Sequence, residues 1–438
     1  MKNLKLETGI GSIQWFVFLL ANSLTLPIVI GQVFNLSVVE ISGLMQRTFL
    51  VVGLSSLLSA WLGHRLPIPD GPAGIWLGVF VIMGQMAAMQ GLGQTGILQL
   101  LMGGMLVSGT LLIIIGSLGW MNRMLKFFTP LVNGVYLMIL AFQLGGVFLK
   151  GMIGINNASS QIHIGNVVVS FAVFALVLAL SIWGKGWMKS YAVLIGMLVG
   201  WLAFVLVNGA QMVPPSSTIV SIPKVFSWGL PHLDVGMVIS SIIVAFVLIS
   251  SIIASIAAMQ QVLGERESAA ETTRQLNGER GSLKNGGIVG GVNTILSAVF
   301  STVGVVPFSV AAGFVRMTGQ SRMLPYFIAC VTLVAVSFLP VIYSMLSLLP
   351  GPVAYAAMFA SFTQMVGIGL ISVLKEPLDQ RRLTILGVSL SLGVGVMFLP
   401  QIVFSTLPTV LQYVLSNGVM VGMLIALVLE QVWKPSSK

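Results

Sequence analysis

The chain has 438 residues, of which 56% are hydrophobic and only 7% are charged. Soluble domains carry about a quarter charged residues, so this composition excludes a soluble globular protein. Because about 20 apolar residues cross the hydrocarbon core once, hydropathy this high predicts a bundle of membrane helices. One cysteine, Cys330, and three histidines without metal-ligand spacing exclude a disulfide framework and a metal cluster, and no cofactor is expected.

Apolar runs between polar, glycine or proline breaks predict about fourteen transmembrane segments. The run after Lys2 and Lys5 has no cleavage site of small residues, so we interpret it as a retained first helix. The first seven segments lie near 13–32, 44–63, 73–90, 97–119, 127–149, 165–183 and 192–210. The second seven lie near 236–259, 287–304, 306–318, 324–346, 352–374, 383–404 and 411–433.

The distribution of lysine and arginine predicts the orientation of these segments. With a cytoplasmic N-terminus, 18 of the 21 basic residues fall inside, and only Arg47, Lys150 and Lys224 fall outside. This bias is the one that the positive-inside rule requires. We therefore expect a multi-pass protein of the cytoplasmic membrane with both termini cytoplasmic and residues 264–285 as a cytoplasmic connector. Orientation explains the net charge of +10, so nucleic acid is not an expected partner.

Two of the segments open on unusual sequence. Residues 66–74 read LPIPDGPAG before segment 3, and residues 306–313 read VPFSVAAG at the start of segment 10. The three prolines and two glycines in residues 66–74 cannot continue a regular helix. The two breaks fall at the third segment of each half, which is the sequence pattern of an inverted-repeat transporter with its substrate site between the broken segments. The alternative is that the prolines and glycines only kink ordinary membrane helices.

At these residues the chain resembles the nucleobase:cation symporter-2 family, the nucleobase-ascorbate transporters. Arg65, Leu66, Pro67 and Gly71 resemble the family's entry to segment 3. Residues 129–134 (TPLVNG) resemble its opening of segment 5, and residues 349–353 (LPGPV) its turn before segment 12. The similarity runs from about Gln14 to Leu429.

The resemblance implies an all-α polytopic membrane protein of two inverted repeats of seven segments, with short strand-like breaks in segments 3 and 10. The expected core domain comprises residues 13–120 and 236–346, and the expected gate domain comprises 127–210 and 352–433. The core would move against the gate. The implied partners are a nucleobase, membrane lipid and a coupling proton or sodium ion, and a homodimer through the gate domain stays open.

The chain departs from the family where substrate contacts are expected. Val310 and Ala311 replace the two polar residues of the segment 10 signature, although Gly313 and Thr318 keep its spacing. Ser251 and Ser255 stand where the family has a glutamate and a histidine in segment 8. The expected substrate-binding residues are Asn22, Ala73, Gly74, Ile75, Ser251, Ser255, Phe308, Ser309, Val310 and Ala311.

Each of these candidates also has a structural explanation. Ser251 and Ser255 lie one turn apart on one face and could contact a base, but small residues also serve close helix packing. Phe308 could stack on a planar ring or face lipid. Asp70 is the one acidic residue beside a broken segment, so it is the coupling candidate, and capping of the helix after Gly71 is the alternative.

The sequence therefore predicts a secondary transporter of the symporter class for a purine or pyrimidine base such as uracil or xanthine. An anion transporter of the same fold would need a cation at the site, for which Arg316 is the one candidate. A nontransporting sensor on this scaffold stays open because the family glutamates are missing. An intramembrane enzyme is disfavoured, since no cluster of catalytic residues lies at membrane depth.

Overall fold

The structure is a computed structural model that describes residues 2–90, 93–124, 126–155, 162–209, 218–264, 281–400, 403–404 and 407–433. The predicted connector 264–285 therefore lies mostly outside the described residues. The first half contains α1 (Lys2–Val33), α2 (Val38–Trp61), β1 (Asp70–Pro72), α3 (Gly74–Gln90), α4 (Gln94–Ser117), α5 (Met121–Met124), α6 (Pro130–Met152), α7 (Ile164–Trp183), α8 (Trp187–Ser190) and α9 (Ala192–Asn208). The second half contains α10 (Val235–Gly264), α11 (Leu283–Val299), β2 (Val305–Pro307), α12 (Val310–Thr318), α13 (Met323–Val336), α14 (Pro340–Leu346), α15 (Gly351–Val373), α16 (Gln380–Met397), α17 (Thr409–Leu415) and α18 (Gly418–Val432).

Each predicted apolar segment overlaps at least one of these helices, so the prediction of a helical multi-pass membrane protein is confirmed. Among the described residues, seven helices are long and apolar enough to cross a membrane alone, or eight if one bent pair counts as a single span. The other segments are shorter or broken helices. The count of fourteen crossings stays a prediction for this reason.

Two segments that the sequence analysis treats as continuous are divided in the structure. The segment at 324–346 is bent by 90° between α13 and α14. Pro340 opens α14 and the residue before it, Leu339, is extended, because proline lacks an N–H and disfavours helical backbone at the preceding position. The segment at 411–433 is divided at Asn417, whose side chain accepts hydrogen bonds from the backbone N–H groups of Val419 and Met420 and so begins a new helix.

The strand-like breaks in segments 3 and 10 are confirmed. Strands β1 and β2 form a two-stranded antiparallel ribbon in which Asp70 pairs with Pro307, Gly71 with Val306 and Pro72 with Val305. All six ribbon residues are buried. The prolines keep these residues out of a helix, so their backbone groups need other hydrogen-bond partners. The strand pairing supplies those partners, as nonhelical backbone at membrane depth requires.

The long helices pack as two groups, and the ribbon contacts helices α1, α2 and α11 of the first. In one group α11 packs along α4, and α13 packs along α1 and α2. In the other, α15 packs along α6 and α7, and α16 packs along α18. An aromatic cluster joins α1, α12 and α13, because the Trp15 ring lies 4.6 Å from Phe314 and 5.0 Å from Tyr326 between centroids. The assignment of the groups to a moving core and a gate stays a prediction.

Candidate substrate site at the two-stranded ribbon

The ribbon is closed at each end by one further backbone hydrogen bond. The Phe308 N–H donates to the Pro69 carbonyl (2.9 Å), and the Ala73 N–H donates to the Gly304 carbonyl (2.8 Å). Because the strands are antiparallel, α3 and α12 leave the ribbon from opposite ends, and each points its N-terminus back toward it. The first N–H groups of a helix lack partners within the helix and carry partial positive charge. The ribbon is therefore flanked by two sets of backbone donors.

Phe308 covers the centre of the ribbon. A Cβ atom at Gly71 would lie 2.2 Å from Phe308 Cε2 and 2.3 Å from Cζ, so the ring rests directly on the glycine backbone. Only a residue without a side chain allows this approach. The ring is half-buried, and its exposed part is suited to stacking on a planar ligand.

Helix α10 supplies the predicted serine contacts. The Ser255 hydroxyl donates to the Pro307 carbonyl (2.7 Å) and also lies 2.8 Å from the Ser251 carbonyl one turn earlier. Ser255 is 2% exposed, so its role is to hold β2 against α10. Ser251 is half-buried on the same face and makes no side-chain hydrogen bond among the described residues. Of the two hydroxyls, that of Ser251 is the one left for a ligand.

The remaining predicted site residues divide between the ribbon ends and α1. Ala73 and Ile75 are buried at the start of α3, and Ala311 is buried in α12. Ser309 and Val310 are exposed at the start of α12. Asn22 is half-buried in α1, which contacts β1 and α3, but its amide donates to the Phe18 carbonyl of its own helix (2.7 Å). The structure thus brings residues 73–75 and 308–311 to opposite ends of one ribbon.

Helices α6 and α15 contribute residues opposite α3 that the sequence analysis did not name. A Cβ atom at Gly74 would lie 3.4 Å from Leu140 and 3.5 Å from Phe362. One turn on, Gly78 faces the side-chain amide nitrogen of Gln143. This nitrogen is buried and has no hydrogen-bond partner. The side-chain amide oxygen of Gln143 accepts a hydrogen bond from the Val419 N–H. An amide in the middle of the apolar segment 5 is a sequence signal for Gln143, but nothing in the sequence distinguishes Leu140 or Phe362 from packing residues.

Asp70 lies in the ribbon, but it does not cap α3. Its side chain is 1% exposed, and neither carboxylate oxygen accepts a hydrogen bond. The capping alternative is therefore wrong. The Asp70 N–H instead donates to the Ser56 hydroxyl (3.0 Å), which fixes the start of β1 to α2. Among the described residues, no group of three or more histidine, cysteine or acidic side chains could hold a metal ion.

Two cavities lie away from the ribbon. One of about 250 Å³ is lined by Arg65, Leu263 and Arg322 among others, and one of about 10 Å³ lies between α3, α10 and α17. Neither cavity includes a ribbon residue. Leu140 and Phe362 instead pack close to the start of α3.

Comparison with known proteins identifies relatives along nearly the whole chain. A Bacillus subtilis (strain 168) protein provisionally named a purine permease, YwdJ, is 29% identical over 427 residues, which cover 96% of this chain and 95% of that protein. The xanthine permease of the same organism is 25% identical over 97% of this chain and 93% of its own length.

Among solved structures, the transmembrane domain of the cyanobacterial bicarbonate transporter BicA has a TM-score of 0.60 at 14% identity, covering 96% of this chain and 97% of that domain. At that identity the likeness shows the fold alone. The model of the Permease family matches residues 6–402. The family resemblance at segments 3, 5 and 12 is thus confirmed, and the chain belongs to this permease family, the nucleobase:cation symporter-2 family.

Proposed function

We propose that this protein carries a purine base of the xanthine or uric acid class across the cytoplasmic membrane, by symport with a cation. The observation that carries the proposal is the ribbon itself, at which an aromatic face, a hydroxyl without a partner and two helix N-termini meet. A purine is planar and bears ring N–H groups and carbonyl oxygens. The face of the purine would stack on Phe308, and backbone N–H groups at the start of α3 would donate hydrogen bonds to the purine carbonyl oxygens.

The relatives support a purine over a pyrimidine. Two Bacillus subtilis relatives are named a xanthine permease and a uric acid permease, at 25% and 24% identity. The missing family glutamates leave backbone N–H groups and Ser251 as the polar contacts. A base that presents several carbonyl oxygens suits such a set, because these groups donate hydrogen bonds.

An inorganic anion fits the ribbon less well. Transport of an anion would need a positively charged side chain at the site. The candidate, Arg316, lies in the last turn of α12. Six residues of helix place it about 9 Å along the axis from Val310 at the ribbon end. Xanthine in its neutral form needs no such charge, since its partial charges match backbone and hydroxyl groups.

Transport would require the helices that pack over the start of α3 to separate from it. Leu140 and Phe362 lie over the start of α3, and the Ser250 hydroxyl on α10 donates to the Asn133 side chain on α6 (2.6 Å). Movement of the expected core (13–120 and 236–346) against the expected gate (127–210 and 352–433) would break these contacts and open the base site. Asp70, the buried acid of the ribbon, is the candidate for coupling this movement to a cation.

Uptake by proteoliposomes tests the proposal. Purified protein should accumulate labelled xanthine or uric acid and discriminate against bicarbonate and sulfate. Ser251→Ala should raise the KM for the base, and Ser361→Ala, a serine of α15 that bonds only within its helix, is the matched control. Accumulation of an inorganic anion but of no base would show that the anion function is the correct one.

A further inference from the structure

A second polar cluster lies on the other side of β1 from Phe308. The Asp70 side chain has Ser59 of α2 and Asn293 of α11 as its neighbours. Ser55 lies one turn before Ser59 on the same face of α2. All four side chains are at most 2% exposed. The cluster therefore joins the ribbon to two helices of the bundle and is shielded from solvent.

The cluster contains more hydrogen-bond acceptors than donors. The Asn293 amide nitrogen donates to the Ser59 hydroxyl (2.9 Å) and to the Ser55 carbonyl (3.2 Å), which uses both of its hydrogens. Four oxygen atoms are then left without a partner: both carboxylate oxygens of Asp70, the amide oxygen of Asn293 and the hydroxyl oxygen of Ser55. Ser59 and Asn293 lie near the carboxylate, but neither makes a hydrogen bond of good geometry to it.

No basic side chain balances Asp70 within the described part of the chain. The titratable groups that act on it are Tyr326 and Cys330 of α13, and ionisation of either would only add negative charge. Burial of a carboxylate without a counter-charge is strongly unfavourable. Unpartnered oxygens on Asp70, on its neighbour Asn293 and on Ser55 of α2 are of the type that a hard cation takes as ligands.

We propose that Asp70, Asn293 and Ser55 form a sodium site. A single carboxylate matches a monovalent ion, and hard oxygen ligands without nitrogen or sulfur match sodium. A proton on Asp70 would supply one donor and so satisfy one acceptor, whereas a sodium ion attracts several oxygens at once. Because Asp70 belongs to β1, an occupied site would hold the ribbon against α2 and α11 and so link sodium binding to the position of the ribbon.

The coupling of sodium to base rests on the proposed function, but sodium binding does not. The test measures binding of radioactive sodium to the purified full-length protein in nanodiscs. Wild type should bind it saturably, and sodium chloride but not choline chloride should compete. Asp70→Asn should abolish binding, and Ser55→Ala should weaken it about tenfold by removing one oxygen contact to a charge.

Ser389→Ala is the matched control, because Ser389 is also fully buried with an unpartnered hydroxyl, but on α16. It should leave sodium binding unchanged. Ser55→Ala removes a hydroxyl that has no partner, so this variant should fold even if Asp70→Asn does not. Its elution as a single species, with the thermal unfolding midpoint of wild type measured without sodium, would confirm that it is folded.

Two results would overturn the site. One is the absence of saturable sodium binding to folded wild type. The other is unchanged sodium affinity in Ser55→Ala together with base uptake driven only by a pH gradient, which would make Asp70 a proton site. Sodium binding without transport of any base would instead contradict the proposed function and leave the site intact.

Discussion

Replacement of Gly71 by alanine tests whether the ring of Phe308 positions the base. The new Cβ would lie 2.2 Å from Phe308 Cε2, and ordinary contacts begin at 3.4 Å, so the ring must move by about 1.2 Å. The ring is the free end of a side chain, whereas the strand is held by paired hydrogen bonds. We therefore expect the ring to tilt away from the ribbon.

The expected loss follows from stacking energies. An aromatic pair contributes about 0.5–1.5 kcal/mol beyond area burial, which corresponds to a roughly two- to tenfold weaker Kd for the base. Overpacking should also cost about 1–3 kcal/mol of stability. Binding of labelled base to purified protein measures the first effect, and thermal unfolding measures the second.

A double-mutant cycle isolates the ring as the cause. In a Phe308→Ala background the alanine at position 71 has no ring to displace, so Gly71→Ala should then have little further effect on affinity. Gly313→Ala is the matched control, because a Cβ there meets no atom within 4 Å. An equal loss of affinity from Gly71→Ala with and without Phe308 would refute the reasoning.

Three further predictions concern the strand contact, the coupling and the orientation. Ser255→Ala leaves the buried Pro307 carbonyl without its donor and should destabilise the fold by about 1–3 kcal/mol in thermal unfolding, whereas Ser297→Ala, which loses only a bond within its helix, should cost less. Asp70→Asn should retain exchange of base between vesicles and medium but lose accumulation driven by a cation gradient, and undiminished accumulation would remove Asp70 from coupling. An impermeant maleimide should label Ser227→Cys in intact cells but Lys375→Cys only after permeabilisation, and the reverse pattern would contradict the predicted topology.

The apolar segments and the positions of the two breaks follow from the sequence. Both are consequences of local chemistry, because about 20 apolar residues suffice to cross the membrane and proline cannot complete a helical hydrogen bond. The same chemistry at Pro340 divides a helix that the analysis of apolar runs treated as continuous. A run of apolar residues does not show whether a proline in it only bends the helix or ends it.

The antiparallel register that joins Asp70 to Pro307 was decided only by the tertiary structure, because it links residues far apart in the chain and depends on how the two halves pack. The same is true of Asn293, an amide in a glycine-rich helix that becomes significant only because α11 lies against α2 beside β1. Leu140 and Phe362 resemble any lipid-facing or packing residue until their helices are placed over α3. The sequence determined which segments enter the membrane and where they break, since those depend on neighbours in the chain. The structure decided which side chains meet at the ribbon, since that depends on contacts between helices.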